Sequence, residues 1–465
     1  MSEEGMINKF ITNYRYEILV VVFLFCVALG IRLLYQHESV VDNPVRADAG
    51  SYLCTALNLL KFGVYSEAPP HPDRKPPKSR TDLSPGYPIF LSVLIKQLKT
   101  KSIDSFIDRV LARQAIMGAL VSILTFFLAR FCLSSLWSAF TGLLTALSPH
   151  LIAMDGYLLT ESLFTLVMIL GILTLMLSWK NKNGIMAVIA GIFITLSFYI
   201  RAINIFLLFF LALIFFIDSK GQSFFTKKIW VKQLSFLLLG YIIITFSHFV
   251  FEKQFDVHNK SDDKYISTES TWGNIVRGAY PGFFYKDGIK YGNSAWRVDP
   301  KYKKMLENKK YAFTVLKNRF TEHPFSFLKW YLGGKIFFMW HWDNIYNGDV
   351  YIYPMKRKGF QENFFLYSIY KAMRYIHWPL FILTLISPII VLVLWRYNKF
   401  ALRARMLFAP ILVFAYTAGI LTILQPLPRY SIPLRPFAYI MAIFSLSYLI
   451  QYLKSLLLPY IKNHL

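Results

Sequence analysis

The chain has 465 residues, 55% of them hydrophobic and 17% aromatic, with a mean hydropathy of +0.42, a composition that fits a polytopic membrane protein and excludes an ordinary water-soluble domain. Its formal net charge of +25 would suit nucleic acid. The lysines and arginines are instead dispersed around apolar segments, with no single basic face of interleaved stacking aromatics, so they read as topology signals and nucleic acid is excluded as a partner.

The first apolar run, 18–35, is long, lacks a small-residue cleavage site and carries Arg32 near its outer end, so a retained helix is expected and not a cleaved signal. Further runs that approach about 30 Å of hydrocarbon at about 1.5 Å per residue fall at 114–133, 136–153, 158–178, 184–200, 203–217, 232–251, 376–395, 406–424 and 434–453, about ten in all. Lys180 and Lys182, then Lys220, Lys227, Lys228 and Lys232, then Arg396, Lys399, Arg403 and Arg405 lie on one side of this arrangement, which the positive-inside rule makes cytoplasmic. Both termini are then cytoplasmic, and residues 36–113 and 252–375 form two outer loops too long to be mere connectors. The chain divides into an N-terminal transmembrane module (1–251) that contains the first outer loop, a second outer-loop region (252–375), and C-terminal transmembrane helices (376–465).

The first outer loop opens with Arg46-Ala-Asp48-Ala-Gly-Ser-Tyr52. A carboxylate held at the water–lipid boundary has no obvious packing role, and it points to chemistry on a membrane substrate. Apolar residues at Tyr52, Leu53, Ala56, Leu57, Leu59 and Leu60 form a helical stripe, with Gly63 where a C-terminal cap is favoured, so a helix lying along the membrane surface is expected over 49–62. Asp48 is placed to cap its N-terminus, a role that also orients the carboxylate and favours its charged form. Ala68 to Lys78 is too proline-rich for helix or central strand and reads as a flap or extended cover. Leu83-Ser-Pro-Gly-Tyr87-Pro88 breaks the chain again before a second interfacial helix over 89–98.

Farther along, Asp155 and Glu161 stand at the outer start of a span, where Thr160-Glu161 is equally a helix cap and first turn. Arg201 and Arg429 fall at outer ends of spans. A helix-end arginine often only snorkels to head groups, but these two run against the positive-inside trend, which a purely topological charge would not do. In the second outer loop, Trp272 could face a sugar ring or the interfacial belt, whereas Trp340 and Trp342 suit the belt. Lys301 to Lys310 is basic and reads as a solvated or head-group-facing helix. Of the three cysteines, Cys26 and Cys132 lie in predicted spans and leave Cys54 without an outward partner, so no disulfide or thiolate metal site is expected. His258 has no neighbouring ligand spacing. No cofactor is expected, and a divalent metal is left open.

In order along one topology, Asp48-Ala-Gly-Ser-Tyr52 after a single span, Gly63-Val-Tyr65-Ser66, Ser84-Pro-Gly-Tyr-Pro88, Arg113-Gln114, Leu159-Thr-Glu161-Ser-Leu-Phe164, Arg201, His323-Pro324 with Lys335 and Trp340, and Arg429-Tyr430-Ser-Ile-Pro433 resemble the GT-C superfamily. Within it the chain is similar to family 39 glycosyltransferases that use polyprenyl-phosphate sugars, including protein O-mannosyltransferases and the lipid A aminoarabinose transferase. The resemblance implies an all-α GT-C fold with interfacial helices in two extracytoplasmic loops, and an inverting transfer of a sugar from a polyprenyl-phosphate donor. It implies Asp48 as general base, with Arg201, Arg429, Lys335 and Arg46 around the donor phosphate. Glu161, Asp155, Tyr52 and Tyr87 are the sugar or acceptor contacts expected with it, and Trp272 joins them on the strength of its aromatic face. The aminoarabinose branch carries Glu-Lys-Pro where this chain has Leu83-Ser84-Pro85, which puts metal binding and that substrate in doubt.

The expected acceptor is a glycolipid, a polysaccharide or a protein, and the expected setting is the plasma membrane with an extracytoplasmic active site. Inward loops too short for a nucleotide-sugar domain favour the lipid-linked donor. Two alternatives stand beside this reading: a ligase or polymerase using lipid-linked oligosaccharide, and a transporter, which would favour internal repeats and charges buried mid-span.

Overall fold

A computed structural model describes residues 3–69, 76–77, 83–99, 102–219, 224–255, 271–285, 295–344, 348–396 and 402–464. Most of the expected proline-rich flap, His258, Lys220 and Lys399 lie outside the described residues. The apolar runs form helices, as they must where lipid offers no partner to backbone N–H and C=O groups. In chain order these are α1 (Glu3–Glu38), α2 (Asp48–Phe62), α3 (Gly86–Leu98), α4 (Ile103–Ala129), α5 (Ser135–Leu147), α6 (Pro149–Met154), α7 (Glu161–Asn181), α8 (Gly184–Ile200), α9 (Leu207–Ser219) and α10 (Phe224–Gln254). A layer of short helices follows: α11 (Thr271–Gly278), α12 (Ala295–Val298), α13 (Tyr302–Glu307), α14 (Lys309–Glu322), α15 (Pro324–Lys329) and α16 (Lys335–Met339). The chain then returns to the membrane through α17 (Gly359–Glu362), α18 (Phe364–Arg396), α19 (Leu402–Met406), α20 (Phe408–Ile423) and α21 (Arg435–His464). This is an all-α polytopic membrane protein.

Among the described residues, 7 helices are long and apolar enough to cross a membrane, fewer than the ten or so expected. The run at 136–153 is broken because Pro149 has no N–H and starts a new helix after extended Ser148. Those at 184–200 and 203–217 give the shorter helices α8 and α9. In the other direction, α4 begins at Ile103, well before the expected 114, because the Ser102 hydroxyl accepts the Ser105 N–H at 3.2 Å and caps it.

Close helix crossings depend on small residues. A Cβ on Gly191 of α8 would lie 2.1 Å from the Leu237 carbonyl of α10, and one on Gly240 would lie 2.2 Å from the Val188 carbonyl, so the two helices meet backbone to backbone. The outer layer has its own core of Val276, Tyr280, Met305, Ala312 and Val315. Within it Arg319 and Tyr280 both hydrogen-bond the buried carboxylate of Asp299.

Two strands that the sequence did not signal tie the segment after α1 to the segment before α17. Val40–Val41 (β1) pairs antiparallel with Met355–Arg357 (β2), and the Asp42 N–H donates to the Pro354 carbonyl at 3.0 Å. Trp340 and Trp342 are buried instead of forming an interfacial belt: their rings pack 5.2 Å from Phe381 and 5.2 Å from His377 respectively.

Candidate active site

The site begins at a forced turn. Ala47 has φ 48° and ψ −129°, a region unfavourable for a side chain, and a Cβ on Gly50 would come 2.4 Å from the Val45 carbonyl. Helix α2 therefore starts abruptly at Asp48, with Ala47 and not Asp48 at the cap position. It closes as expected at Gly63, in the left-handed conformation at φ 65°.

Asp48 turns to Arg429, whose Nη2 donates to Oδ2 at 2.7 Å. The Nε of Arg429 lies 3.5 Å from Glu161 Oε1, and Arg201 Nη2 donates to that same oxygen at 3.1 Å. Four charged groups from four distant parts of the chain thus form one alternating cluster, Asp48–Arg429–Glu161–Arg201. Their exposures differ: the Glu161 side chain is 1% exposed and contacts both guanidinium groups, while that of Asp48 is 34% exposed. Glu161 accordingly bridges both arginines, with its side chain almost closed to solvent.

Arg201 reaches this position because α8 ends at Ile200 and Arg201 itself is extended, with φ −143°. Its guanidinium lies 5.3 Å from the centre of the Tyr430 ring and 5.7 Å from that of Phe164. Arg429 is held in a tight turn, Pro428–Leu434, that leads into α21.

Burial pushes the Asp48 carboxyl up, but the Arg429 guanidinium, its hydrogen bond and Arg201 beyond it outweigh that, and the net shift is below the usual carboxylate range. Burial and the Asp48 charge together raise the Tyr353 phenol to about 12, and the same two causes raise Tyr52. Both hydroxyls are held protonated beside the carboxylate.

The other expected site residues are placed differently. Tyr52 joins the cluster, and Arg46 is exposed nearby with its guanidinium 5.8 Å from the Tyr353 ring centre. Tyr87 is fully buried against Tyr52, and its hydroxyl donates to Gln114 Oε1 at 2.7 Å. Asp155 is buried as well, taking Arg32 Nε at 2.6 Å and the Ser162 hydroxyl at 2.5 Å; both its oxygens are used within the protein. Lys335 does not reach the arginines. Its Nζ donates to the Thr422 and Leu424 carbonyls at 2.7 and 3.2 Å, closing the end of α20 just before the segment that carries Arg429. The Trp272 Nε1 donates to the Met305 carbonyl inside the outer layer.

Tyr353 and Tyr430 flank the cluster and were not foreseen as site residues. The alternation Tyr351-Ile-Tyr353 just before β2 was the available signal for the first. As to a divalent cation, Asp48 and Glu161 offer two carboxylates, both engaged by guanidinium groups, and the described residues hold no cluster of three His, Cys, Asp or Glu side chains.

The family described as oligosaccharyl transferase STT3, N-terminal, matches residues 52–266, just under half of the chain. That stretch includes Tyr52, Glu161 and Arg201 but neither Asp48 nor Arg429. No curated protein matches the chain. Among solved structures, the archaeal oligosaccharyltransferase AglB from Archaeoglobus fulgidus, in complex with an inhibitory peptide and a dolichol-phosphate, aligns with TM-score 0.53 and 14% identity over 97% of this chain. The Archaeoglobus fulgidus oligosaccharyltransferase in its apo form gives TM-score 0.51 and 12% identity, again over 97%. The same enzyme tethered to an acceptor peptide containing the NVT sequon gives 0.52 and 14% over 94%. This chain spans about half the length of these proteins, covering 50–52% of them. Across nearly its whole length, then, it shares the GT-C fold of archaeal oligosaccharyltransferases.

Proposed function

We propose that this protein is a membrane glycosyltransferase that moves a sugar or glycan from a polyprenyl-phosphate-type lipid to an acceptor at the membrane surface, with Asp48 as general base. The observation that carries the reading is the cluster itself: two arginines braced by a buried glutamate, with a second, accessible carboxylate on Arg429. Fixed guanidinium groups suit a leaving phosphate, whose charge grows as the glycosidic bond breaks. An accessible carboxylate beside them suits the acceptor's proton.

The resting geometry implies an order of events. While Arg429 holds Asp48, the carboxylate is a weak base. A donor phosphate that draws the guanidinium onto its own oxygens removes the main influence depressing Asp48, and the base strengthens only when donor is present. The acceptor nucleophile then attacks the anomeric carbon, its proton passes to Asp48, and the bond to the phosphate oxygen breaks with the electron pair leaving on the lipid phosphate. Attack opposite the leaving group inverts the anomeric centre.

The fold likeness to oligosaccharyltransferases, two of them described with a peptide and one with a dolichol-phosphate, supports a lipid-linked donor and favours a protein side chain as acceptor. It also supports transfer of an assembled oligosaccharide over that of a single sugar, and weighs against the transporter alternative. The decisive experiment incubates reconstituted protein and membrane extract with sugars linked to polyprenyl phosphate or pyrophosphate, and follows free lipid phosphate or pyrophosphate by mass spectrometry. Release that requires the protein is expected; no release from any of these donors would overturn the reading.

A further inference from the structure

Asp155 joins three helices at one buried point. Its Oδ2 takes Arg32 Nε of α1 at 2.6 Å, and its backbone carbonyl takes the side-chain amides of Gln36 in α1 and Gln114 in α4 at 3.0 and 3.2 Å. Its other carboxylate oxygen, Oδ1, takes the Ser162 hydroxyl at 2.5 Å. Ser162 follows Glu161 in the first turn of α7, and Thr160 at the cap position makes no side-chain cap there. Helix α4 leaves room for this junction with a glycine: a Cβ on Gly118 would lie 2.1 Å from Asp155 Oδ2 and 2.2 Å from Arg32 Nε. Arg32, Asp155, Ser162 and Glu161 line one cavity of about 10 Å³, so the ion pair and the glutamate that bridges the site arginines are neighbours.

We propose that Asp155 is a positioning residue for the active site: through Ser162 it fixes the first turn of α7 against α1 and α4, and so sets where Glu161 meets Arg429 and Arg201. Apolar packing is non-directional and leaves a helix free to slide or turn by small amounts. A short hydrogen bond to a carboxylate is directional and removes that freedom. The cluster has little slack, because Glu161 Oε1 stands 3.1 Å from Arg201 Nη2 and 3.5 Å from Arg429 Nε, and a displacement of about 1 Å in a reacting site can cost about 10²-fold. The proposal rests on the reading of these arginines as the seat of the donor phosphate, and makes donor affinity depend on a hydroxyl and a carboxylate that need not touch the donor.

The test compares Ser162→Ala, which leaves the Arg32–Asp155 pair intact, with Ser178→Ala at the opposite end of α7, where the buried hydroxyl donates to Gln233 Oε1 at 2.7 Å. Each removes one buried hydroxyl from the same helix, so a general loosening of α7 affects both alike. The first readout needs no substrate: full-length protein in detergent is treated with phenylglyoxal, and modification of Arg201 and Arg429 is followed by peptide mass spectrometry. Ser162→Ala should react several-fold faster than wild type at both arginines, and Ser178→Ala at the wild-type rate. The second is turnover of lipid-linked donor in proteoliposomes, where Ser162→Ala should raise the donor KM about tenfold with kcat little changed. If Ser162→Ala does not fold, Ser162→Cys, which keeps the volume and only a weak donor, is read in the same way. Arginine reactivity unchanged in the Ser162 variant, reactivity raised equally in Ser178→Ala, or an unchanged donor KM would each overturn the proposal. A wild type that turns over no lipid-linked donor would refute the functional reading instead, and arginine reactivity alone would then decide whether Asp155 positions Glu161.

Discussion

Asp48, Arg429, Glu161 and Arg201 show how a single residue's chemistry depends on partners that sequence distance conceals. Arg429 and Asp48 are 381 positions apart, yet 2.7 Å separates their atoms. Because Asp48 is depressed in the folded state, its pairing contributes stability above the unfolded carboxylate pKa of about 3.9 and loses it as pH falls through the lower folded value. Tm should therefore drop on acidification below about pH 4, with a shallower acid slope in Asp48→Asn, measured by differential scanning fluorimetry. In kinetics, the exchange of Arg429 from Asp48 to donor phosphate predicts that the acid limb of kcat lies at higher pH than that of kcat/KM. Coincident limbs would show that the donor leaves Asp48 unchanged. Arg32 and Asp155 form a buried ion pair. Arg32→Met should cost about 3–5 kcal/mol by leaving Asp155 uncompensated, and Arg32→Met with Asp155→Leu less, both measured by denaturation. The charged residues of the site were legible as outliers, namely carboxylates and arginines on the expected outer side. Their division into partners and braces was not, because nothing local to Glu161, Asp155 or Lys335 distinguishes a buried brace from a ligand.

At the scale of elements, the site depends on α3 touching the end of α8. A Cβ on Gly86 would lie 2.7 Å from Ile200 Cγ1 and 2.9 Å from the Tyr199 carbonyl, immediately before Arg201. Gly86→Ala should push the two helices apart, costing about 1–3 kcal/mol and raising KM for the lipid donor, because Arg201 moves with the end of α8. Unchanged Tm and KM in that variant would show that the contact does not position Arg201. Helix α2 was readable in advance, both its apolar stripe and its glycine stop. The break between α5 and α6 had a visible cause in Pro149, but a proline near the middle of an apolar run can kink a helix as readily as divide it. Strands β1 and β2 were not readable at all. Pairings of two and three residues carry no periodicity, and their register comes from the loops they join.

For the whole molecule, composition and the succession of apolar runs gave the class, and an ordered set of individually common motifs pointed to the GT-C fold. What escaped was which apolar runs form long helices and which form short ones. The 7 long helices are an odd number and would by themselves leave the termini on opposite sides; termini on one side require an odd number of the shorter apolar segments α5–α6, α8 and α9 to cross as well. In a background free of cysteine, Glu67→Cys in the first outer loop should react with a membrane-impermeant maleimide in intact cells, whereas a cysteine appended to the C-terminus should react only after lysis. Labelling of both without lysis would contradict cytoplasmic termini.

The central claim, that Asp48 receives the acceptor proton while the arginines take the lipid phosphate, is tested most directly by comparing wild type with Asp48→Asn in proteoliposomes, measuring donor binding and lipid-phosphate release side by side. The expected result is retained binding with release reduced by about 10²- to 10⁴-fold. Equal release by a folded Asp48→Asn variant would contradict it.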